Sequence, residues 1–160
     1  MKRDSKLSLA LHILGHMGLH PDRVVRSEDL ALHHATHAVV VRRVLGALRE
    51  AGLVTSAKGH AGGWSLARSA TAITIADVWR ALGERLDPAS GLGPDNPPTC
   101  AIERALHGTW DEAIAAAEAT LLDRLSTVSI ADLSGSIAAH GTIPLQDLHE
   151  PSSVARGPVV

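Results

Sequence analysis

Residues 48–67 read LREAGLVTSAKGHAGGWSLA, and this stretch decides the fold. Leu48-Arg49-Glu50-Ala51 ends a helical pattern, and Gly52 stops it, since glycine readily takes the left-handed backbone that terminates helices. The period then changes from helical to alternating. Leu53-Val54-Thr55-Ser56 and Trp64-Ser65-Leu66-Ala67 are short strand-like runs. The seven residues between them, Ala57-Lys58-Gly59-His60-Ala61-Gly62-Gly63, are rich in glycine and read as the loop of a β-hairpin.

Helices flank this hairpin on both sides. Leu7, Ala10, Leu11, Leu14, Met17 and Gly18 recur at helical spacing, so residues 5–19 are predicted to form an amphipathic helix, followed by Pro21. Ser27-Glu28-Asp29-Leu30 has the form of a helix start, with a Ser cap and acids in the first turn, and this short helix ends near His34. Thr36 is expected to cap the next helix, whose apolar face reads as Val39, Val40, Val44, Leu45 and Leu48. Beyond the hairpin, Thr74 caps a helix carrying Ile75, Val78, Trp79 and Leu82, ending near Gly83. Residues 86–99 hold Pro88, Gly91, Gly93, Pro94, Pro97 and Pro98 and read as a loop. A short helix is expected over Ala101–His107. A long one follows from about Trp110, with the stripe Ile114, Ala117, Leu121, Leu125 and Val128. Ile130-Ala131-Asp132-Leu133 continues the helical tendency after a break.

Helix, short helix, turn, helix, hairpin, helix is the order of a winged helix-turn-helix. The fold class is therefore mainly α with a small β-hairpin wing, extended by a long C-terminal dimerisation helix. The expected organisation is a DNA-binding domain over 1–85, a sensor loop over 86–100, dimerisation helices over 101–140 and a flexible tail over 141–160.

Composition bounds the partners. The 160 residues carry a formal net charge of −2, unpromising for a nucleic-acid binder. The distribution is lopsided, however. Residues 1–68 hold ten Lys/Arg against five Asp/Glu (+5), and residues 69–160 hold five against twelve (−7). A basic N-terminal part joined to an acidic remainder suits a module with one face toward DNA. The only aromatics are Trp64, Trp79 and Trp110, so the core rests on aliphatic residues. There is no apolar run of about 18 residues, so no membrane span is expected. No leader peptide is legible after Met1, and a cytoplasmic location is expected. Cys100 is the single cysteine and cannot form an internal disulfide.

In such a fold the second helix of the pair enters the major groove and the wing reaches the backbone or minor groove. The candidate DNA contacts are Thr36, His37, Arg42 and Arg43 on the reading helix and Ser56, Lys58, His60 and Gly62 on the wing. The expected partner is double-stranded DNA carrying a palindromic operator, and the stripe Trp110, Ile114, Ala117, Leu121, Leu125 and Val128 is the candidate contact of a homodimer.

The runs THAVVVRRVL (36–45), LREAGLV (48–54), GHAGGWSLA (59–67) and ITIADV (73–78) resemble the Rrf-two (Rrf2) family of IscR- and NsrR-like regulators, over about Leu7 to Leu133. The resemblance implies a homodimeric transcription regulator, here expected to be a repressor, whose long helix crosses to the partner subunit. His37-Ala38 stands where family members usually have Asn-Pro. Many members hold an iron–sulfur cluster through three cysteines, which one cysteine cannot supply. Others ligate a two-iron, two-sulfur (2Fe-2S) cluster with mixed residues. Their Cys-Pro-Ile-x-Arg-Ala motif is similar to Cys100-Ala101-Ile102-Glu103-Arg104-Ala105 here, and His12 and His33 match the two ligating histidines. Ser8 occupies the carboxylate position and is a poor iron ligand; Asp4, His16, His34 or a water would have to complete the set. The alternatives are a cofactor-free regulator, a cysteine sensor using Cys100, or a protein-binding adaptor on a degenerate winged helix. No nucleophile–base set or carboxylate pair points to an enzyme.

Overall fold

The computed structural model describes residues 6–59, 62–86 and 99–139. The elements are α1 (Lys6–Leu19), α2 (Ser27–His33), α3 (Ala38–Glu50), β1 (Val54–Ala57), β2 (Gly63–Leu66), a 3₁₀ turn at Ala70–Ala72, α4 (Ile75–Ala81), α5 (Ala101–Ser126) and α6 (Ile130–Ala139). The helix-turn-helix and hairpin thus follow the predicted order.

The core is aliphatic. α1 contributes Leu7, Ala10, Ile13, Leu14 and Met17, and α3 contributes Val41, Val44, Leu45 and Leu48. Leu30, Leu53, Val54, Ile73, Val78 and Ile130 complete it. Burial of each large side chain stabilises by roughly 1.5–3 kcal/mol. Gly52, at φ +69°, ends α3 as expected. Its N–H donates to the Arg49 carbonyl at 2.9 Å, and the Leu53 N–H to the Leu48 carbonyl at 2.9 Å, closing a Schellman motif.

β1 and β2 pair antiparallel, with Ser56 opposite Trp64 and Ala57 opposite Gly63. Val25 adds a third rung, exchanging both backbone hydrogen bonds with Trp64 at 2.9 and 2.8 Å. Glycine is required at position 63, where a Cβ would lie 2.6 Å from the Val25 carbonyl oxygen.

Several local expectations are corrected. Ser27 is the first residue of α2 and not its cap; Arg26 holds that position without a side-chain cap. The Ser27 hydroxyl is used elsewhere, accepting from Trp64 Nε1 at 3.0 Å. Thr36 does not cap α3; His37 does, again without a side-chain bond, because Ala35 at φ +49° turns the chain and the Thr36 N–H closes back on the Ala31 carbonyl. The buried face of α3 starts at Val41. Val39 and Val40 are 63% and 41% exposed, one turn away from the face that helical geometry gives Val41, Val44, Leu45 and Leu48. Residues 101–126 form one helix instead of two. Gly108 costs only about 1 kcal/mol inside a helix. The start is fixed by a capping box in which Glu103 Oε2 accepts from the Thr99 and Cys100 N–H groups at 2.6 and 3.2 Å.

α6 returns to the winged helix. The Ile130 N–H donates to the Ile73 carbonyl at 2.8 Å, and Ile130 is fully buried. The Ser134 hydroxyl reaches the carbonyls of Gly15 at 2.9 Å and Ile130 at 2.8 Å. A Cβ at Gly18 would come within 2.4 Å of that hydroxyl, so glycine permits the close approach of α6 to α1. α5 has no buried residue along its 26 residues. The expected sensor loop over 86–100 falls almost wholly outside the described residues, and the expected tail over 141–160 wholly so.

Candidate nucleic-acid interface

α3 turns its core face inward, so its opposite ridge is fixed by the same periodicity. Val39, Arg43 and Glu50 lie along this ridge and are exposed. Arg42 and Arg49 flank it on one side, and Val40 on the other. The N-terminal half of the ridge thus offers one guanidinium between two exposed valines. That pairing matches base edges in the major groove, where arginine donates to guanine and apolar side chains contact thymine methyls. A shallow cleft of about 190 Å³ adjoins Val40 and Arg43, bordered by Lys6, Ala47 and Leu82. It is smaller than the roughly 300–1,000 Å³ typical of small-ligand sites.

The predicted DNA contacts are arranged as follows. His37 is exposed at the N-cap of α3, with Thr36 half-buried behind it. Arg43 is exposed on the ridge. Arg42 is engaged, its guanidinium bonding the Glu28 carboxylate of α2. Both partners are more than half exposed, so the pair contributes little stability and can give way to a phosphate. Ser56 and Lys58 are exposed on and beside β1. Gly62 is half-buried where a Cβ would lie 2.4 Å from the Ala57 carbonyl, and His60 lies outside the described residues. Sequence reasoning missed the exposed valines. Their signal was available, since Val41-Val44-Leu45-Leu48 already forms a complete i, i+3, i+4, i+7 face.

Trp64 positions the wing. Its backbone pairs with Val25 and its indole N–H bonds Ser27 at the start of α2, so the hairpin is joined to the helix pair. On the C-terminal side, Thr74 accepts from the Asp77 N–H at 3.2 Å and Asp77 from the Thr74 N–H at 3.0 Å, a capping box that starts α4. Asp77 also faces Arg68 at 3.9 Å.

The histidines gather where the end of α2 meets α1. His33 Nε2 lies 2.8 Å from His16 Nε2, and His34 stands against both. Burial, reinforced by His33, His12 and His20, lowers the His16 pKa to about 4. Burial, reinforced by His33, His16 and His12, does the same for His34. His12 lies at the edge of the group, its Nδ1 2.7 Å from the Ser8 carbonyl oxygen, and Ser8 itself is buried. Cys100 is exposed at the N-cap of α5, where its Sγ accepts from the Glu103 N–H at 3.4 Å. Among the described residues of one chain, His12, His33 and Cys100 do not form a three-ligand group. The three-cysteine cluster does not fit a sequence with one thiol.

An exposed reading helix, an anchored glycine-rich wing and a supporting three-helix core define a winged helix-turn-helix regulator that binds DNA. The sequence profile of Rrf2, described as an iron-dependent transcriptional regulator, matches residues 3–136. The chain belongs to the Rrf2 family. It is 27% identical over 130 residues to YwnA of Bacillus subtilis, an inferred HTH-type transcriptional regulator, covering 81% of this chain and 95% of YwnA. It is 31% identical over 124 residues to Rv1287 of Mycobacterium tuberculosis, likewise inferred to be an HTH-type transcriptional regulator, covering 78% and 74% of the two chains. A crystal structure of an inferred DNA-binding protein superposes with a TM-score of 0.65 at 26% identity, covering 81% of this chain and 98% of that one. The relatives' role is regulatory, and no helix among the described residues is long and apolar enough to cross a membrane.

Proposed function

We propose that this regulator acts in the cytoplasm as a homodimer on a palindromic operator, as a repressor and not as an enzyme. The observation that carries the reading is the α3 ridge, where Arg43 stands exposed beside Val39 with Lys58 exposed on the neighbouring wing. Thr36, His37, Arg42, Arg43, Ser56, Lys58, His60 and Gly62 form the DNA-facing set. The dimer rests on α5. A helix of 26 residues is about 39 Å long, and Ile102 and Leu106 are 80% and 50% exposed on it. A partner's equivalent helix would cover this surface through Trp110, Ile114, Ala117, Leu121 and Leu125, with Val128 just beyond the helix end. Two copies related by a two-fold axis read two half-sites about 34–36 Å apart, hence a palindrome. Occlusion of a promoter by the bound dimer is the simplest output of such a protein.

The direct experiment is selection of duplexes from a random pool, with sedimentation of the resulting complex. A two-fold motif bound by two chains supports the reading. A protein that enriches no sequence removes it. An adaptor on a degenerate winged helix would keep its partner after Arg42, Arg43 and Lys58 are neutralised, whereas this reading loses DNA.

A second reading of the signal follows from the exposure of Cys100 in the first turn of the proposed dimer helix. There it is accessible to a partner chain, and His12 from one subunit with His33 and Cys100 from the other would supply three of the four ligands of a 2Fe-2S cluster, with Asp4, His16, His34 or a water as the fourth. Visible absorption after anaerobic purification, compared with His12→Ala and Cys100→Ala, decides it: loss of colour in both variants supports the cluster, and colourless iron-free protein refutes it.

A further inference from the structure

We propose that His16, His33 and His34 form, within a single subunit, a binding site for one divalent first-row transition-metal cation. Their ligating nitrogens all lie within 4.8 Å of one another. A tetrahedral cation with nitrogens at about 2.0–2.1 Å sets them about 3.3 Å apart. The 2.8 Å separation between His16 and His33 brackets that value from below. Small rotations of the three rings therefore complete the geometry. The rings are fanned and not stacked: His16 and His33 are inclined at 89°, and His33 and His34 at 88°, with centroids 4.3 and 4.9 Å apart.

One further feature favours a cation. His34 Nε2 is buried and takes no hydrogen bond from the described groups, a costly arrangement for a polar atom. Three imidazole nitrogens suit zinc, iron(II), cobalt, nickel or copper and not the oxygen-preferring magnesium or calcium. A water, or His12 at the edge of the group, is available for the remaining position. This donor set differs from the dimer-spanning one in needing neither Cys100 nor a second chain. His33 belongs to both sets, so one histidine cannot serve both at once.

The location gives the site an output. His33 ends α2, His34 is its C-cap, and three residues later His37 caps the reading helix. A cation joining these residues to His16 ties α1 to the turn that aims α3. That regulatory role rests on the DNA-binding reading; cation binding itself does not.

The test uses the full chain, treated with chelator and titrated anaerobically with cobalt(II). One cobalt per chain, with the strong visible bands of a four-coordinate site, displaced by one equivalent of zinc(II), is expected. His33→Gln and His34→Gln should each weaken binding by about tenfold or more, and Cys100→Ser should leave it unchanged. His16→Gln, at a buried position, is read alongside circular dichroism, while the two half-buried positions keep the test informative if it unfolds. Absence of stoichiometric cobalt, equal binding by both the His33 and His34 variants, or loss in Cys100→Ser overturns the proposal. Each of these outcomes is independent of whether the protein binds DNA, so a failed cation site leaves the operator reading standing.

Discussion

His33 Nε2 and His16 Nε2 stand 2.8 Å apart, so only one proton fits between the two rings. Full protonation of the cluster would place like charges in contact within a partly buried site. Burial first, and the neighbouring imidazoles second, hold the folded-state pKa values of His16 and His34 near 4, against 6.5 for a free histidine. As pH falls below 6.5, the unfolded chain takes up protons that the folded chain refuses until about pH 4. Stability therefore declines across that window and is fully present above it. For chelator-treated protein, the urea midpoint should be lower at pH 5 than at pH 7.5, and His34→Gln should reduce the difference. Equal midpoints at the two pH values would contradict the buried neutral cluster.

The Trp64 indole bond to Ser27 ties the wing to α2. Ser27→Ala removes the acceptor of that half-buried indole N–H, and the loss of such a hydrogen bond costs about 0.5–1.5 kcal/mol. Urea unfolding followed by tryptophan fluorescence should show the loss. Ser27→Thr keeps the hydroxyl and should restore much of it. An unchanged midpoint in Ser27→Ala would show that the contact does not hold the wing.

The charged residues of the interface should separate by role. Arg43→Ala is expected to cost about 1–3 kcal/mol and to relax preference at one base position of each half-site. Lys58→Ala should weaken all duplexes alike and lower the salt slope of binding by about 1 per contact. Arg42 must leave Glu28 to meet a phosphate, so Glu28→Gln should tighten DNA binding modestly. Fluorescence anisotropy over a salt series distinguishes these outcomes.

Ala117 is exposed on α5, a helix with no buried residue. Ala117→Glu should therefore leave the subunit folded while turning a dimer into a monomer, with loss of tight operator binding. Analytical ultracentrifugation reads the first effect and anisotropy the second. A dimeric Ala117→Glu protein would move the interface away from this stripe.

Legibility in the sequence followed the strength of local signals. Gly52 and the glycine-rich run before Trp64 need special backbone geometry, and they announced the helix end and the wing. The cap at Thr74 was equally plain, although its reciprocal bond from Asp77 was not read. The register of α3 was misread because three consecutive valines satisfy two faces, and only packing chooses Val41. Ser27 looked like a cap because serine is good at that job; its actual partner, Trp64, is 37 residues away and reachable only through the fold. α6 looked like an extension of the dimer helix, since nothing local reveals that Ser134 reaches the Gly15 carbonyl. Of the histidines, His12 was singled out for a cluster, and so was His33. Its meeting with His16 and His34 depends on how α1 crosses α2, which no spacing within one helix encodes.

The central claim is that α3 and the wing read a specific DNA sequence. It is tested most directly by the ratio of affinities for the selected palindrome and a scrambled duplex of equal length, at one fixed near-physiological salt concentration. A preference of about 10³ or more, lost when Arg42, Arg43 and Lys58 are together replaced by neutral residues, is the predicted result. Equal affinity for the two duplexes, or a preference that survives the triple replacement, would contradict it.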